Sequence, residues 1–226
     1  MLNDPHELIK LVNQNGGAYH KLVFPDGTIL NGVFDMSKYL DYFKIPESLE
    51  GKSVLEIGTA TGFFALELAK RNPKKIVAID KYVSNIQFAA NQLMGTKVEF
   101  IQQDFNLLGE KFGKFDLVLC SNVLQHISDM FGMIEKIKKI TNDMAILCTD
   151  ILPDELSNIP VAHFFGDVKT GIEGEPYWSY WQPNSSCFKK MVEVAGFSKA
   201  KIQSQFMLES EDKKMKIRDA VIHAYV

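Results

Sequence analysis

The segment Val54-Leu55-Glu56-Ile57-Gly58-Thr59-Ala60-Thr61-Gly62-Phe63 constrains this chain more than any other. An apolar run ends in an acid and a glycine, turns through small residues to a second glycine, and opens a helical pattern. The next apolar run, Lys75-Ile76-Val77-Ala78-Ile79, ends in Asp80. Strand, glycine loop, helix, strand and acid form the layout of a nucleoside-binding α/β domain, in which the acid accepts hydrogen bonds from ribose hydroxyls. The competing role for Asp80 is a cap on the helix that follows it. A dinucleotide site needs G-x-G-x-x-G, with amides and a helix N-terminus aimed at a pyrophosphate. The spacing here is E-x-G-x-A-x-G, with Ala60 at the middle small position.

The alternation continues to about residue 149. Strands are expected at Val54 to Ile57, Ile76 to Asp80, Val98 to Gln102, Phe115 to Cys120 and Met144 to Thr149, with helices near Phe63 to Arg71, Val83 to Met94 and Met130 to Ile140. Continuous apolar strands alternating with helices predict an α/β fold, a Rossmann-like mostly parallel sheet with helices on both faces. In such sheets ligands sit at the C-terminal strand ends, where Glu56, Asp80, Asp104 and Ser121 fall. Lys199 to Met207 and Ile217 to Val226, separated by a charged turn, predict a C-terminal antiparallel hairpin at the sheet edge. A helix from about Ser185 to Ala195, stopped at Gly196, precedes it.

Two segments lie outside the alternation. Residues 1–50 read as a helix capped by Asp4 and Pro5, a Pro25-Asp26-Gly27 turn and a capped helix around Ser37 to Phe43, together covering the site. Residues 51–226 would then form the main domain. Within it, residues 150–184 are rich in Pro, Gly, acids and aromatics and too long for a plain connector, so a lid is expected there.

The formal net charge of -3 gives no overall field for nucleic acid or an acidic membrane, and Arg71 and Arg218 are the only arginines. These features argue against a nucleic-acid partner. Cys120, Cys148 and Cys187 are far apart, no metal-ligand spacing is present, and unpaired thiols fit a reducing cytoplasm. No signal peptide or spanning apolar run is seen, so a cytoplasmic protein without membrane contact is expected.

The glycine loop resembles motif I of the class I S-adenosylmethionine-dependent methyltransferases, usually (D/E)-x-G-x-G-x-G. Asp26-Gly27, Gly32-Val33-Phe34-Asp35, Asn122-Val123-Leu124-Gln125-His126, Trp181-Gln182-Pro183-Asn184 and Ala195-Gly196-Phe197 narrow the resemblance. They are similar to a subgroup that includes the tRNA wobble-uridine carboxymethyltransferases and many small-molecule methyltransferases. The resemblance covers most of the chain from about Tyr19. It implies S-adenosyl-L-methionine as cofactor. Glu56 would orient the loop, and Gly58, Thr59, Ala60, Thr61 and Gly62 would cradle the methionine moiety. Asp80 with Lys81 would take the ribose, Asp104 the adenine amino group and Phe105 the adenine ring, with Ser121 and Asn122 along the channel.

The carboxymethylating branch has a tyrosine before the histidine, where this chain has Gln125. That departure favours ordinary S-adenosylmethionine. His126, just past a strand end, is the candidate general base, since an acceptor hydroxyl or ring nitrogen must lose a proton as it is methylated. The competing role is structural, a bond to a backbone carbonyl. Tyr19, His20, Gln125, His163, Trp178, Trp181 and Asn184 are the candidate acceptor contacts, although most of the lid aromatics are expected to pack the insertion onto the sheet. The expected reaction is methyl transfer to an oxygen of a sugar, nucleotide-linked or phosphate-like metabolite. An anionic acceptor would want Lys21, Lys81 or Arg218 nearby. The rival readings are an RNA methyltransferase or carboxymethyltransferase, and a non-catalytic cofactor-binding partner subunit. Oligomeric state is not legible.

Overall fold

The computed structural model describes residues 4–109, 112–153, 159–172 and 175–226, with the backbone alone for 167–172 and 175–178. Helix α1 (Pro5–Gln14) is capped by Asp4, whose side chain accepts from the His6 amide. The short strands β1 (Ala18–His20), β2 (Leu22–Val23), β3 (Ile29–Leu30) and β4 (Gly32–Phe34) follow. β2 and β3 form a hairpin around Pro25-Asp26-Gly27, and β1 pairs in parallel with β4. The helix expected at Ser37 to Phe43 is instead two 3-10 turns, Met36–Lys38 and Leu40–Phe43. A segment this short cannot support α-helix nucleation by itself. Burial of Met36 and Phe43 and stacking of Tyr39 on Phe206 fix it.

The central elements are β5 (Ser53–Ile57), α2 (Phe63–Ala69), β6 (Lys75–Asp80), α3 (Asn85–Leu93), β7 (Glu99–Gln102), β8 (Phe115–Ser121), α4 (Met130–Ile140) and β9 (Thr141–Asp150). After β10 (Ala162–Ile172), β11 (Glu175–Pro183) and α5 (Ser185–Val194) come β12 (Lys199–Glu209) and β13 (Lys216–Tyr225). The seven-stranded sheet has the order β12-β13-β9-β8-β5-β6-β7. Its β7-β6-β5-β8-β9 portion is parallel, while β13 runs antiparallel to β9 and β12 antiparallel to β13.

Both faces are buried, as the continuous apolar strands require. Val54 points with α1, α2 and α3 into one core, and Leu55 and Ile57 point with α4 and α5 into the other. Leu8, Val12, Phe24, Phe34 and Phe43 belong to the first of these cores, so the N-terminal segment is packed onto the sheet. The expected lid contains a two-stranded antiparallel ribbon, β10 with β11, broken by a register shift between Phe164 and Val168. Among the described residues no helix is long and apolar enough to cross a membrane.

Candidate active site

The loop between β5 and α2 is fixed from below and from the side. Gly58 has φ +82, and a Cβ on it would lie 2.1 Å from Val123 Cγ2, so only glycine fits. The Gly58 and Thr59 amides both donate to the Ile79 carbonyl, at 2.8 and 3.2 Å. Ala60 has φ +45, a left-handed conformation costly for a residue with a side chain. It is held on two sides: its amide donates to Asp80 Oδ2 at 2.8 Å, and its carbonyl accepts from Gln87 Nε2 at 2.6 Å.

Glu56 is buried beneath this loop. It accepts from Thr59 Oγ1 at 2.6 Å and from the Ala65 amide in the first turn of α2, where Gly62 offers no side-chain cap. Burial pushes its carboxyl up to about 8, against the lowering effect of the Thr59 bond. Asp80 closes β6, and its second oxygen accepts from the Tyr82 amide at 3.1 Å. The cap of α3 is Ser84, in a capping box with Gln87. Asp80 is therefore not a helix cap, and each of its oxygens keeps a lone pair for a ligand. Asp104 caps a 3-10 turn, accepting from the Asn106 amide at 2.9 Å.

A cavity of about 560 Å³ follows the strand ends. Asp80, Lys81, Asp104 and Phe105 wall one end, and Gly58, Ala60, Ser121 and Asn122 its middle. Leu208 and Met215 wall it from the β12–β13 hairpin, Tyr19 and His20 from the N-terminal segment, and His126 from the turn after β8. Thr61 ties the N-terminal segment to the loop, because its hydroxyl accepts the amides of both Tyr19 and His20 at 3.0 Å. His20 is buried, its Nδ1 has no hydrogen-bond partner, and burial pushes its ring down to about 3. His126 ends the 3-10 turn Leu124–His126 and is exposed at the cavity.

The structure separates the expected residues into two groups. Gly58, Ala60, Asp80, Lys81, Asp104, Phe105, Ser121, Asn122, Tyr19, His20 and His126 meet around the cavity. Glu56, Thr59, Thr61 and Gly62 support the loop without lining it.

Four expected acceptor contacts are placed elsewhere. Gln125 is fully buried, accepting from Thr149 Oγ1 at 2.9 Å and approaching Asn122 Oδ1 at 3.5 Å. Asn184 is also fully buried; it caps α5 through the Cys187 amide and donates to the Ile159 carbonyl, and these bonds turn it away from the cavity. Trp181 donates to the Ser128 carbonyl at 2.8 Å and packs against the second core. His163 stacks near Phe165 on the ribbon, outside the cavity wall. The Trp178 side chain lies outside the described residues. Sequence reading missed Val33, Met36, Leu208 and Met215 as cavity walls, and the signal was faint: apolar residues at the ends of short strands and turns. Among the described residues no group of three His, Cys, Asp or Glu side chains could hold a metal ion.

A glycine loop between strand-end acids, over a cavity of this size, defines a nucleoside-cofactor site of the class I methyltransferase kind. The methyltransferase domain family matches residues 48–179, more than half of the chain, and the chain belongs to that family. A tRNA U34 carboxymethyltransferase from Campylobacter lari is 28% identical over 114 residues, covering 47% of this chain and 37% of that protein. A ribosomal protein L11 methyltransferase from Thermotoga neapolitana is 28% identical over 127 residues, covering 56% of this chain and 44% of that protein. The chain thus spans less than half the length of these two curated relatives.

Among solved structures, the N-terminal domain of EvdMO1 in the presence of SAH and D-fucose superposes with a TM-score of 0.68 at 16% identity, covering 99% of this chain and 97% of that one. Magnesium protoporphyrin IX methyltransferase from Synechocystis with bound SAH gives 0.58 at 18% identity, covering 100% and 88%. These two likenesses establish the fold. The residues present fit S-adenosylmethionine: Asp80 retains acceptor capacity at the end of β6, and the left-handed turn at Gly58 and Ala60 brings bare backbone to the cavity wall.

Proposed function

We propose that this chain transfers a methyl group from S-adenosylmethionine to an oxygen of a small-molecule acceptor. The observation that carries this reading is the single cavity running from Asp80 and Asp104 to Tyr19, His126 and Met215. Its volume of about 560 Å³ lies within the range of small-ligand sites. The N-terminal segment and the β12–β13 hairpin both contribute walls, which suits an enclosed metabolite. The likeness to a domain studied with D-fucose favours a sugar-like acceptor.

When bound, S-adenosylmethionine supplies a methyl carbon on a good leaving group. The protein's work is alignment and proton removal. Asp80 and Asp104 hold the nucleoside end, and Ser121 and Asn122 border the path to the acceptor. His126 takes the acceptor's proton. His20 does not suit that task, because a ring held at about 3 binds protons too weakly.

The relatives acting on tRNA U34 carry a second reading, an RNA acceptor or carboxymethyl transfer. Gln125 weighs against carboxymethyl transfer, since its amide is buried against Thr149 and does not reach the cavity. Incubation with methyl-labelled S-adenosylmethionine and separate small-metabolite and RNA pools tests the proposal. Label in the metabolite pool is expected. Label confined to RNA overturns the small-molecule acceptor, and saturable SAH binding with no label in either pool points to a non-catalytic subunit.

A further inference from the structure

Two aspartates lie behind the acceptor end of the cavity. Asp150, the last residue of β9, and Asp219 of β13 are direct partners in the antiparallel register. Their side chains therefore share one face of the sheet, an arrangement that like charges oppose. They are 4% and 0% exposed, and the Oδ1 atom of each has no hydrogen-bond partner. Asp219 Oδ2 accepts from Asn122 Nδ2 at 2.9 Å. Burial and the facing Asp219 carboxylate push Asp150 up to about 8. Burial pushes Asp219 up to about 7, against the lowering effect of the Asn122 bond. Near neutral pH the pair shares a proton and keeps on the order of one negative charge.

Among the described residues, the titratable groups that feel the pair are Tyr19 and Cys148, and neither is a cation. Tyr19 of β1 has its hydroxyl pushed up by burial and by the Asp219 carboxylate. Cys148 of β9 is pushed up by burial and by both carboxylates. The three cations considered for an anionic acceptor are placed elsewhere. Lys21 is bonded to Asp35 at 2.9 Å, Lys81 walls the nucleoside end, and Arg218 is exposed outside the cavity wall.

Asn122 adds a second, independent selection. Its Nδ2 gives one of two N–H groups to Asp219, and its Oδ1 accepts from the Gln125 amide at 3.5 Å, so each end of this cavity residue keeps capacity for one more bond. A neutral hydroxyl can use both ends, accepting from Nδ2 and donating to Oδ1, whereas a carboxylate can only accept. Val33, Met36, Leu208 and Met215 supply apolar wall to the same cavity.

We propose that the Asp150–Asp219 pair makes the acceptor end anion-excluding, so that the site takes an uncharged hydroxyl compound with an apolar face, held through Asn122. This rests on the methyltransferase reading and narrows it, removing phosphate and carboxylate compounds from the acceptor class. Asp150 and Asp219 act as positioning residues, through the field they create and through the fixed Asn122 amide. The transfer balances with this acceptor. Its hydroxyl oxygen bonds the methyl carbon, the carbon–sulfur bond breaks with its electrons left on sulfur, and the hydroxyl proton passes to His126.

The test uses the full chain saturated with SAH and labelled at its methionine methyl groups, so that Met36 and Met215 report occupancy of the acceptor end by NMR. The probes are benzyl alcohol, benzoate and phenyl phosphate, matched in their apolar part. Benzyl alcohol is expected to bind more tightly than either anion by about tenfold or more. In Asp150→Asn and in Asp219→Asn that ratio should shrink, with SAH binding as the control for folding. An anion that binds the wild-type complex as well as benzyl alcohol does would overturn the inference. So would an undiminished ratio in variants that still bind SAH. Failure of the wild-type chain to bind SAH would instead sink the methyltransferase reading itself.

Discussion

The Thr61 hydroxyl accepts the backbone amides of both Tyr19 and His20 at 3.0 Å, joining the glycine loop to the segment that covers it. Thr61→Ala removes the acceptor for two amides, one belonging to a buried residue. Leaving buried donors unpaired costs about 1–3 kcal/mol. Urea denaturation should show that loss, and hydrogen exchange should speed up at Tyr19 and His20 ahead of the central strands. Thr61→Ser, which keeps the oxygen, should restore most of both. Unchanged exchange in Thr61→Ala would mean that the β1–β4 pairing alone holds the segment.

The loop residues on either side of Thr59 should respond to substitution in opposite directions. Ala60 pays roughly 1–2 kcal/mol for its left-handed backbone. Glycine would remove that cost but lose roughly 0.5–1 kcal/mol to its greater freedom when unfolded. Ala60→Gly should therefore be neutral or stabilising by up to about 1 kcal/mol. Gly58→Ala meets Val123 Cγ2 at 2.1 Å and a positive φ together. It should cost roughly 2–5 kcal/mol, the sum of overpacking and backbone strain. Denaturant midpoints of the two variants decide both claims, and a destabilised Ala60→Gly would show that the Asp80 and Gln87 bonds relieve the strain.

Asp80 should matter more for ligand than for fold. Asp80→Ala removes the proposed ribose acceptors and the bonds from the Ala60 and Tyr82 amides, but leaves the Ser84 cap of α3 intact. Hydrogen bonds to a charged group are worth about 1.5–3 kcal/mol, so SAH affinity should fall roughly ten- to 150-fold. Titration calorimetry measures it. A folded variant with wild-type affinity would remove Asp80 from the nucleoside site.

Much of this arrangement was legible because its signals are periodic or positional. Short uninterrupted apolar runs bounded by turn signals and alternating with helical patterns read as strands buried on both faces, and acids at their ends mark the ligand side. Val54 to Ile57 and Ile76 to Asp80 differ from the observed strands by one residue at their starts. The ribbon of β10 and β11 was not legible as strands, because glycines, prolines and a register shift interrupt any period of two. Asn184 looked like a ligand contact, though its place directly before the α5 pattern is that of an N-cap. The acid pair was missed because Asp150 and Asp219 lie 69 positions apart and meet only through the β9–β13 register, although a lone acid inside the apolar run of β13 was a visible anomaly.

Stability should fall as pH rises from about 6.5 to 8. Glu56, Asp150 and Asp219 are all buried, and their folded carboxyls sit at about 8, 8 and 7, above ordinary values of 4.5, 3.8 and 3.8. In this window the unfolded chain has already lost those protons, while the native state still holds the Glu56 proton and the one shared by Asp150 and Asp219, releasing them towards pH 8. The native state thus binds more protons, and raising the pH favours unfolding by up to about 1.4 kcal/mol per pH unit for each proton retained. His20 and His223, both lowered by burial, are neutral in either state above about 6.5 and do not offset the trend. The raised thiols of Cys120 and Cys148 add to it only near and above their ordinary 9.0. Denaturant midpoints should decline to about pH 8 and then flatten until the thiols engage. Asp219→Asn should make the decline shallower, and a midpoint that rises across the window would contradict the buried-acid account.

His126 decides how the acceptor loses its proton. It lines the same cavity as Tyr19 and Met215, from the 3-10 turn Leu124–His126 that follows β8. If its imidazole takes the proton, His126→Ala should lower kcat by about 10²–10⁴-fold. SAH affinity and the acceptor KM should change little, because the lost interaction belongs to the transition state. Added imidazole should recover part of the rate, since the vacated space opens to solvent at an exposed position. Single-turnover transfer with the acceptor recovered from the metabolite pool provides these values. A structural role makes the opposite forecast, with weakened SAH binding or a lowered denaturant midpoint and no rescue by imidazole. An anionic acceptor makes a third, near-wild-type transfer in His126→Ala, and that result would also contradict the uncharged acceptor inferred from Asp150 and Asp219.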